Sequence, residues 1–213
     1  MISRAAPVWC LIAIALSLPV RDTAAQTIVI GPTVGYRIGG GFDAEFNDGD
    51  GNRQRGTFDL KNSLSYGITV DILLDKVWRE MFLELIWDRQ KTDLVEKLSS
   101  SPGAVVTDLT SDYFLAGISS VPFPATFNWF GTLYLGAARF AGGGESEARF
   151  AWGFGLGVKY SFSERLGARV QGRTYLSTVG ESRGGTSCSL YLCTEWHGFM
   201  SQLDLSGGLF VAL

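Results

Sequence analysis

The stretch Arg149–Phe162, RFAWGFGLGVKYSF, alternates strictly between two kinds of side chain. Its even-numbered positions are all aromatic or aliphatic, and its odd-numbered positions are glycine, alanine, serine or charged. Successive side chains of a β-strand point to opposite faces, so this pattern predicts a strand with one apolar face and one small or charged face. The alternation alone leaves open whether the apolar face meets a protein core or lipid.

Similar alternation recurs through the chain and predicts eight strands. They lie near residues 27–46, 58–74, 81–88, 110–121, 127–140, 149–162, 166–177 and 199–213. In the second of these, Phe58 and Leu60 are predicted to share one apolar face with Leu64 and Tyr66. The pattern does not fix the facing of the strands at 110–121 and 127–140. Several strands reach the roughly 9 to 11 residues that a tilted membrane strand needs. We therefore expect an all-β protein, an eight-stranded antiparallel up-and-down transmembrane β-barrel.

The composition excludes two classes of protein. Of the 213 residues, 27 are glycine, 46% are hydrophobic and only 18% are charged, which is too apolar for a disordered chain. The formal net charge of −3 gives no sign of the basic surface that nucleic-acid binding needs. We expect one domain, no cofactor and no nucleic-acid partner.

Residues 1–25 have the features of a secretory signal peptide. Arg4 supplies a positive start, residues 8–18 form an apolar segment too short to span a bilayer, and residues 23–25 are small. We expect this segment to be removed before Gln26. The mature, exported protein is then a barrel domain of residues 26–213.

The connections between the predicted strands alternate in length. Residues 47–56, 93–109 and 180–196 form long connections, residues 142–147 an intermediate one, and residues 74–79, 122–126 and 163–165 short ones. Outer-membrane barrels have short periplasmic turns and longer outer loops. The pattern therefore favours a bacterial outer-membrane barrel, with both chain termini at the periplasmic end.

The small or charged face of the strands is predicted to line the barrel interior. An eight-stranded barrel is just wide enough to be filled by side chains, and buried charges are tolerated only when they are paired. We expect basic and acidic groups to pair across the interior and to plug it. The predicted network consists of Arg37, Lys61, Asp59, Asp71, Glu84, Asp88, Arg149, Lys159, Arg169, Arg173 and Asp204.

Residues 155–173 and the last eight residues, 206–213, resemble segments of a known family, the small outer-membrane β-barrels related to the transmembrane domain of outer-membrane protein A and to the outer-membrane protein X and W groups. Residues 155–173, GLGVKYSFSERLGARVQGR, look like that family's sixth and seventh strands around a tight turn. The terminal SGGLFVAL resembles the family's barrel-assembly signal, carried here by Ser206, Gly208, Val211 and Leu213. Family members often end in phenylalanine, where this chain has leucine. The resemblance implies periplasmic chaperones, the barrel-assembly machinery and outer-membrane lipid as partners.

The longest predicted loop contains Cys188 and Cys193, followed by His197. An exported protein favours a disulfide between the two cysteines. The alternatives are free thiols or a zinc site with His197, for which no fourth ligand is evident. A catalytic role for His197 would need a nearby nucleophile, and Ser201 lies about 13 Å away along a strand. We expect neither a metal site nor a catalytic site.

These observations favour a non-enzymatic, monomeric outer-membrane barrel with a structural role or a role in presenting its loops to partners. The first alternative is a narrow pore or a lateral path for small hydrophobic molecules. The second is an outer-membrane lipid-modifying enzyme, and a soluble lipocalin-like barrel is the third. A pore would require a gap between the inward charges, and an enzyme would require a complete histidine site.

Overall fold

A computed structural model describes residues 28–47, 53–74, 81–96, 104–120, 127–180, 188–189 and 192–213. The predicted signal peptide, residues 1–25, lies outside the described residues. No helix in the described part is long and apolar enough to cross a membrane. The described residues form eleven strands: β1 (Ile28–Gly39), β2 (Gly41–Asn47), β3 (Arg53–Leu60), β4 (Ser63–Leu73), β5 (Met81–Glu96), β6 (Ala104–Ser120), β7 (Phe127–Gly142), β8 (Glu145–Ser161), β9 (Leu166–Gly180), β10 (Cys188–Ser189) and β11 (Leu192–Ala212).

Eight of these strands close into an antiparallel barrel. The order around the barrel is β1, β4, β5, β6, β7, β8, β9 and β11, and β11 pairs back with β1. At one end β2 and β3 prolong the wall by pairing with each other and with β11 and β5. The predicted fold class is confirmed. We call the end at which Ile28 and Leu213 lie the termini end, and the opposite end the loop end.

The barrel strands are staggered. Tracing paired residues around the wall from Ile28 returns to β1 at Ile38, so the stagger is 38 − 28 = 10 residues over eight strands. Closing a sheet with such a stagger tilts the strands, typically by about 35–45°. The paired residues on the other seven strands are Ile72, Leu83, Ile118, Leu133, Phe154, Thr174 and Leu203, and all but Thr174 are apolar.

The outward face of the wall is apolar and exposed. Leu133 is 72% exposed, Leu156 67% and Phe199 66%, whereas the inward face alternates with it along every barrel strand and is buried. The alternation also fixes the two strands whose facing the sequence left open. Phe114 and Leu133 point outward, and Tyr113 and Tyr134 point inward.

The alternation is interrupted at two neighbouring places, residues 39–40 and residues 61–62. Gly39 and Gly40 have φ angles of +83° and +114°, which glycine adopts without steric cost. Between β3 and β4 the inward face changes from even to odd positions, so Phe58 and Leu60 are only 8% and 3% exposed. The prediction that Phe58 and Leu60 face outward is wrong, because it assumed one unbroken strand from residue 58 to 74.

Inward glycines make room for aromatic rings. A Cβ atom on Gly157 would lie 2.6 Å from Cζ of Phe130, and one on Gly155 would lie 3.1 Å from Cε2 of Tyr134. Phe130 and Tyr134 belong to β7 and cover the glycine face of β8. Small and large residues therefore complement each other inside a barrel whose interior has room only for side chains.

The strands extend further than the sequence predicted. Residues 93–109 were expected to be a long loop, but β5 continues to Glu96 and β6 begins at Ala104, which pairs with it. The connection expected at 142–147 is a tight turn at Gly143 and Gly144, both with positive φ. Strand pairing uses backbone groups and so continues through polar sequence. This makes the contrast between long and short connections smaller than predicted.

Candidate functional site

Eight charged side chains inside the barrel form one continuous chain in which basic and acidic groups alternate. We call this chain the charge ladder. From the termini end it runs through Lys159, Asp71, Arg169, Glu84, Arg173, Asp88, Arg37 and Asp204. All eight were predicted to face the interior. Four positive charges are matched by four negative ones.

The ladder begins with short contacts at the termini end. Lys159 Nζ lies 2.6 Å from Asp71 Oδ2, and Arg169 Nη1 lies 3.5 Å from that same oxygen. Arg169 Nη2 then donates to Glu84 Oε1 at 2.7 Å. The side chains of Asp71, Arg169 and Glu84 are at most 1% exposed, so these ion pairs are removed from solvent.

The half of the ladder nearer the loop end is built around Arg173 and Arg37. Arg173 Nη2 lies 4.0 Å from Glu84 Oε1, and its Nη1 lies 3.4 Å from Asp88 Oδ2. Arg37 pairs with Asp88 and has Nε 3.5 Å from Asp204 Oδ2. Because each interior carboxylate is shared or hydrogen-bonded, removal of one group would leave its neighbours without a full partner.

Neutral side chains add hydrogen bonds to some of the charges. The hydroxyl of Thr132 donates to Glu84 at 3.0 Å, and that of Ser65 donates to Asp204 at 2.5 Å. Arg169 donates to the hydroxyl of Thr69 at 3.0 Å. Buried charges keep their ionised form only with such additional hydrogen bonds.

Arg37 also lies against two tyrosine rings. Its guanidinium carbon is 4.9 Å from the ring centroids of both Tyr113 and Tyr175. The two rings stack on each other with centroids 4.5 Å apart and an interplanar angle of 18°. Tyr113 donates to Gln202 at 2.7 Å. These contacts place a polar, aromatic layer beside the loop-end part of the ladder.

Nearer the loop end the interior becomes apolar. Phe58, Leu60, Leu94 and Met200 are buried together, and the partly buried Leu109 and Phe140 pack against them. We call these six residues the apolar cap. The break between β3 and β4 supplies two of its members, since it turns Phe58 and Leu60 inward. Charges, tyrosines and the cap therefore succeed one another along the barrel axis.

Three of the predicted interior charges lie elsewhere. Lys61 pairs with Asp93 at 3.0 Å on the barrel rim, where its side chain is 50% exposed. Arg149 pairs with Glu147 at the loop end of β8, and the Glu147 side chain is 49% exposed. Asp59 is half-buried on the outward side of β3. Lys61 and Asp59 are displaced by the break at residues 61–62, and Arg149 lies beyond the buried part of its strand.

The predicted cysteine and histidine positions are only partly described. The backbone of Cys188 pairs with that of Cys193 in the β10–β11 hairpin, while both side chains lie outside the described ones. The disulfide therefore stays a prediction. His197 and Ser201 both belong to β11, four residues apart, which corresponds to about 13 Å. Among the described side chains, no group of three histidine, cysteine or acidic residues could hold a metal ion.

The four residues of the predicted assembly signal lie on β11 and at its end. Ser206 pairs with Gly35 and Val211 with Ile30, so this strand forms the seam that closes the barrel. The backbone N–H of Leu213 donates to the carbonyl of Ile28 at 2.8 Å. The Leu213 side chain is 46% exposed and continues the outward apolar face.

One ion pair on the outward wall was not anticipated from the sequence. Arg89 on β5 donates to Asp112 on β6 through Nε at 2.6 Å and through Nη2 at 2.9 Å. Arg89 continues the outward alternation of Leu85 and Trp87, which was a usable signal. The sequence did not identify Asp112 as its partner, because the alternation did not fix which face of the strand at 110–121 points outward.

The fold is shared with solved outer-membrane barrels. The outer membrane protein OprG from Pseudomonas aeruginosa is similar with a TM-score of 0.60 and 11% sequence identity, covering 89% of this chain and 100% of that one. Neisserial surface protein A is similar with a TM-score of 0.53 and 13% identity, covering 90% of this chain and 100% of that one. No family model and no curated protein matches the sequence. The chain therefore has the fold of eight-stranded outer-membrane barrels.

Proposed function

We propose that this chain is an integral protein of the bacterial outer membrane, closed by its filled interior, with a structural role or a role in presenting its loops. The observation that carries this proposal is the charge ladder beneath the apolar cap. A barrel with an apolar outside and a charge-matched, packed inside suits a membrane environment and not solute passage. The similarity to OprG and Neisserial surface protein A supports the fold on which the proposal rests.

Membrane residence is supported by the wall itself. Large apolar side chains such as Leu64, Leu133 and Val170 are 66–72% exposed. In water so extensive an apolar surface would promote aggregation. In lipid the closed barrel leaves no unpaired strand edge, which is the requirement for a membrane-spanning sheet.

A closed state is supported by the interior. The ladder contains side chains from six of the eight barrel strands, and Phe130 and Tyr134 from β7 fill space beside it. Opening a path would require moving charges away from their partners at a cost of several kcal/mol each. The apolar cap adds a second barrier, because an ion would have to leave water to pass it.

Biogenesis follows the sequence predictions. We propose export through residues 1–25, chaperoning in the periplasm, and insertion by the barrel-assembly machinery through Ser206, Gly208, Val211 and Leu213. The mature chain would act as a monomer surrounded by outer-membrane lipid. No reaction is proposed, since His197 and Ser201 are too far apart along β11 to share a proton.

Conductance across a planar lipid bilayer tests this proposal. Protein purified in detergent from the membranes of expressing bacteria is inserted, and insertion is verified by its altered mobility in unheated gel samples. We expect inserted protein to show no steady conductance. A matched variant, Phe58→Ala combined with Leu60→Ala, shows whether the cap contributes to closure.

Two results would contradict the proposal. Steady conductance of the unaltered protein would show that the ladder leaves a gap and would favour the narrow-pore alternative. Protein that stays dissolved without detergent would contradict membrane residence and favour a soluble barrel.

A further inference from the structure

Among the side chains that the structure describes, charge on the outward wall lies on one side of the barrel. On β1, β4, β8, β9 and β11, none of the outward positions with a described side chain is charged. These outward charges lie on the adjacent strands β3, β5, β6 and β7. They are Asp59, Arg89, Lys91, Asp93, Asp108, Asp112 and Arg139.

Three of these residues form a single row across the strands. Arg89 pairs with Asp112 in the β5–β6 ladder, and Asp112 pairs with Arg139 in the β6–β7 ladder. The next outward positions toward the termini end are Trp87, Phe114 and Ala137. The row therefore marks the boundary at which the apolar wall ends.

The Arg89–Asp112 ion pair of this row is bidentate and lies beside aromatic side chains. Arg89 binds both carboxylate oxygens of Asp112, whose side chain is only 4% exposed. The Arg89 guanidinium also lies 5.5 Å from the ring centroid of Trp87, which makes an edge contact with Tyr66. Asp112 is thus already neutralised by one cation.

Two further cations lie beside this pair. Lys91 is two positions along the same face of β5, and Arg139 follows Asp112 in the row; both side chains are exposed. Neither has an ion-pair partner within 4.0 Å among the described side chains. Of the remaining acids, Asp93 is paired with Lys61, and Asp59 and Asp108 also make interactions. The row and Lys91 together carry three positive charges and one negative charge.

We infer that Arg89, Lys91 and Arg139 form a seat for the phosphate of a phosphorylated glycolipid in the outer leaflet. This inference rests on the proposed membrane location, because it requires the loop end to lie on the external side of the outer membrane. Lipid phosphates then lie at the level where the apolar wall ends. Arginine and lysine are the side chains best suited to phosphate, and Trp87 and Phe114 lie where the lipid's apolar part begins.

Binding of bisphosphorylated lipid A tests this seat. The protein is refolded in lipid-free detergent micelles, and its apparent Kd for lipid A is compared with that for the same lipid after dephosphorylation. The variants are Lys91→Gln, Arg139→Gln and the double variant. Arg165→Gln, which removes an exposed cation from the turn at the termini end, is the matched control.

We expect each single variant to weaken binding about fivefold and the double variant about thirtyfold, since a cation near an anionic surface contributes about 1 kcal/mol. The control should bind like the unaltered protein. Equal binding of the dephosphorylated lipid, or a double variant within twofold of the unaltered protein, would overturn the inference. Complete competition by millimolar inorganic phosphate would overturn the lipid assignment and indicate a general anion site.

Gel mobility of unheated samples separates this inference from the proposed function. Variants that fold keep the altered mobility of the unaltered protein. An unaltered protein that never shows it, and never enters vesicles, contradicts the membrane location and with it this inference. Protein that inserts yet binds lipid A no better than the double variant contradicts the phosphate seat alone.

Discussion

Arg169 and Glu84 form a 2.7 Å ion pair across the barrel interior, between β9 and β5, which are not neighbours in the wall. Arg169 also reaches Asp71, and Glu84 also reaches Arg173. This pair therefore connects Lys159, Asp71 and Arg169 to the rest of the charge ladder. Because both side chains are at most 1% exposed, water from outside cannot compensate for the loss of either charge.

Replacing Glu84 by glutamine should destabilise the barrel strongly. The change keeps the shape of the side chain but leaves Arg169 and Arg173 short of one negative charge. Removing one member of a buried ion pair costs about 3–5 kcal/mol. The free energy of unfolding in detergent micelles, measured by urea titration of tryptophan fluorescence, checks this.

Glu147→Gln is the matched control for that change. Glu147 also pairs with an arginine, but at the rim, where its side chain is 49% exposed. Exposed ion pairs contribute about 0–1 kcal/mol, so the control should stay close to the unaltered protein. Equal losses in the two variants would show that the ladder does not stabilise the fold.

The interior of the barrel could be predicted from the sequence better than its loop end. All eight residues of the ladder were predicted, because glycine and charge alternate with apolar residues within single strands. The ion-pair partners could not be predicted. Alternation gives the face on which a residue lies, but not its height along the barrel axis relative to residues on other strands. That height depends on the stagger of ten residues, which is set by pairing along the whole wall.

The break between β3 and β4 is the feature that the pattern concealed. Residues on both sides of Lys61 and Asn62 are apolar at even positions, so one continuous strand fits the sequence as well as two. The structure differs because the first strand also breaks, at Gly39 and Gly40, and the backbone N–H of Leu60 donates to the carbonyl of Gly40 at 3.2 Å. The pattern within a single strand cannot predict that two breaks on different strands are coupled.

Leu60 and Leu64 should therefore respond differently to the same substitution. Leu60→Ala removes part of the buried apolar cap and should cost about 2–5 kcal/mol of unfolding free energy. Leu64 is 67% exposed on the outward wall, so Leu64→Ala should cost much less in micelles. A larger loss for Leu64→Ala would mean that β3 continues the facing of β4 and that the cap does not exist as described.

A disulfide between Cys188 and Cys193 is expected in the exported protein. Their backbones are paired opposite each other in the β10–β11 hairpin, and cross-strand neighbours have Cβ atoms about 4.5–5.5 Å apart. Mass spectrometry of the unreduced protein after thiol alkylation should show neither cysteine modified, and both modified after reduction. Alkylation of both cysteines without reduction would contradict the bridge, and Cys188→Ser should then leave the alkylation of Cys193 unchanged.

Leu213 should matter for assembly in cells more than for the stability of the finished barrel. Its side chain lies at the end of the outward apolar face, and its backbone closes the seam with Ile28. Leu213→Asp should reduce the fraction of heat-modifiable protein in the outer-membrane fraction while the purified chain still refolds in detergent. Leu213→Phe, which keeps an apolar terminus, is the control and should assemble at least as well as the unaltered protein. Normal assembly of Leu213→Asp would show that the last residue is not read as part of the signal, whereas failure of this variant to refold in detergent would show that its role is structural.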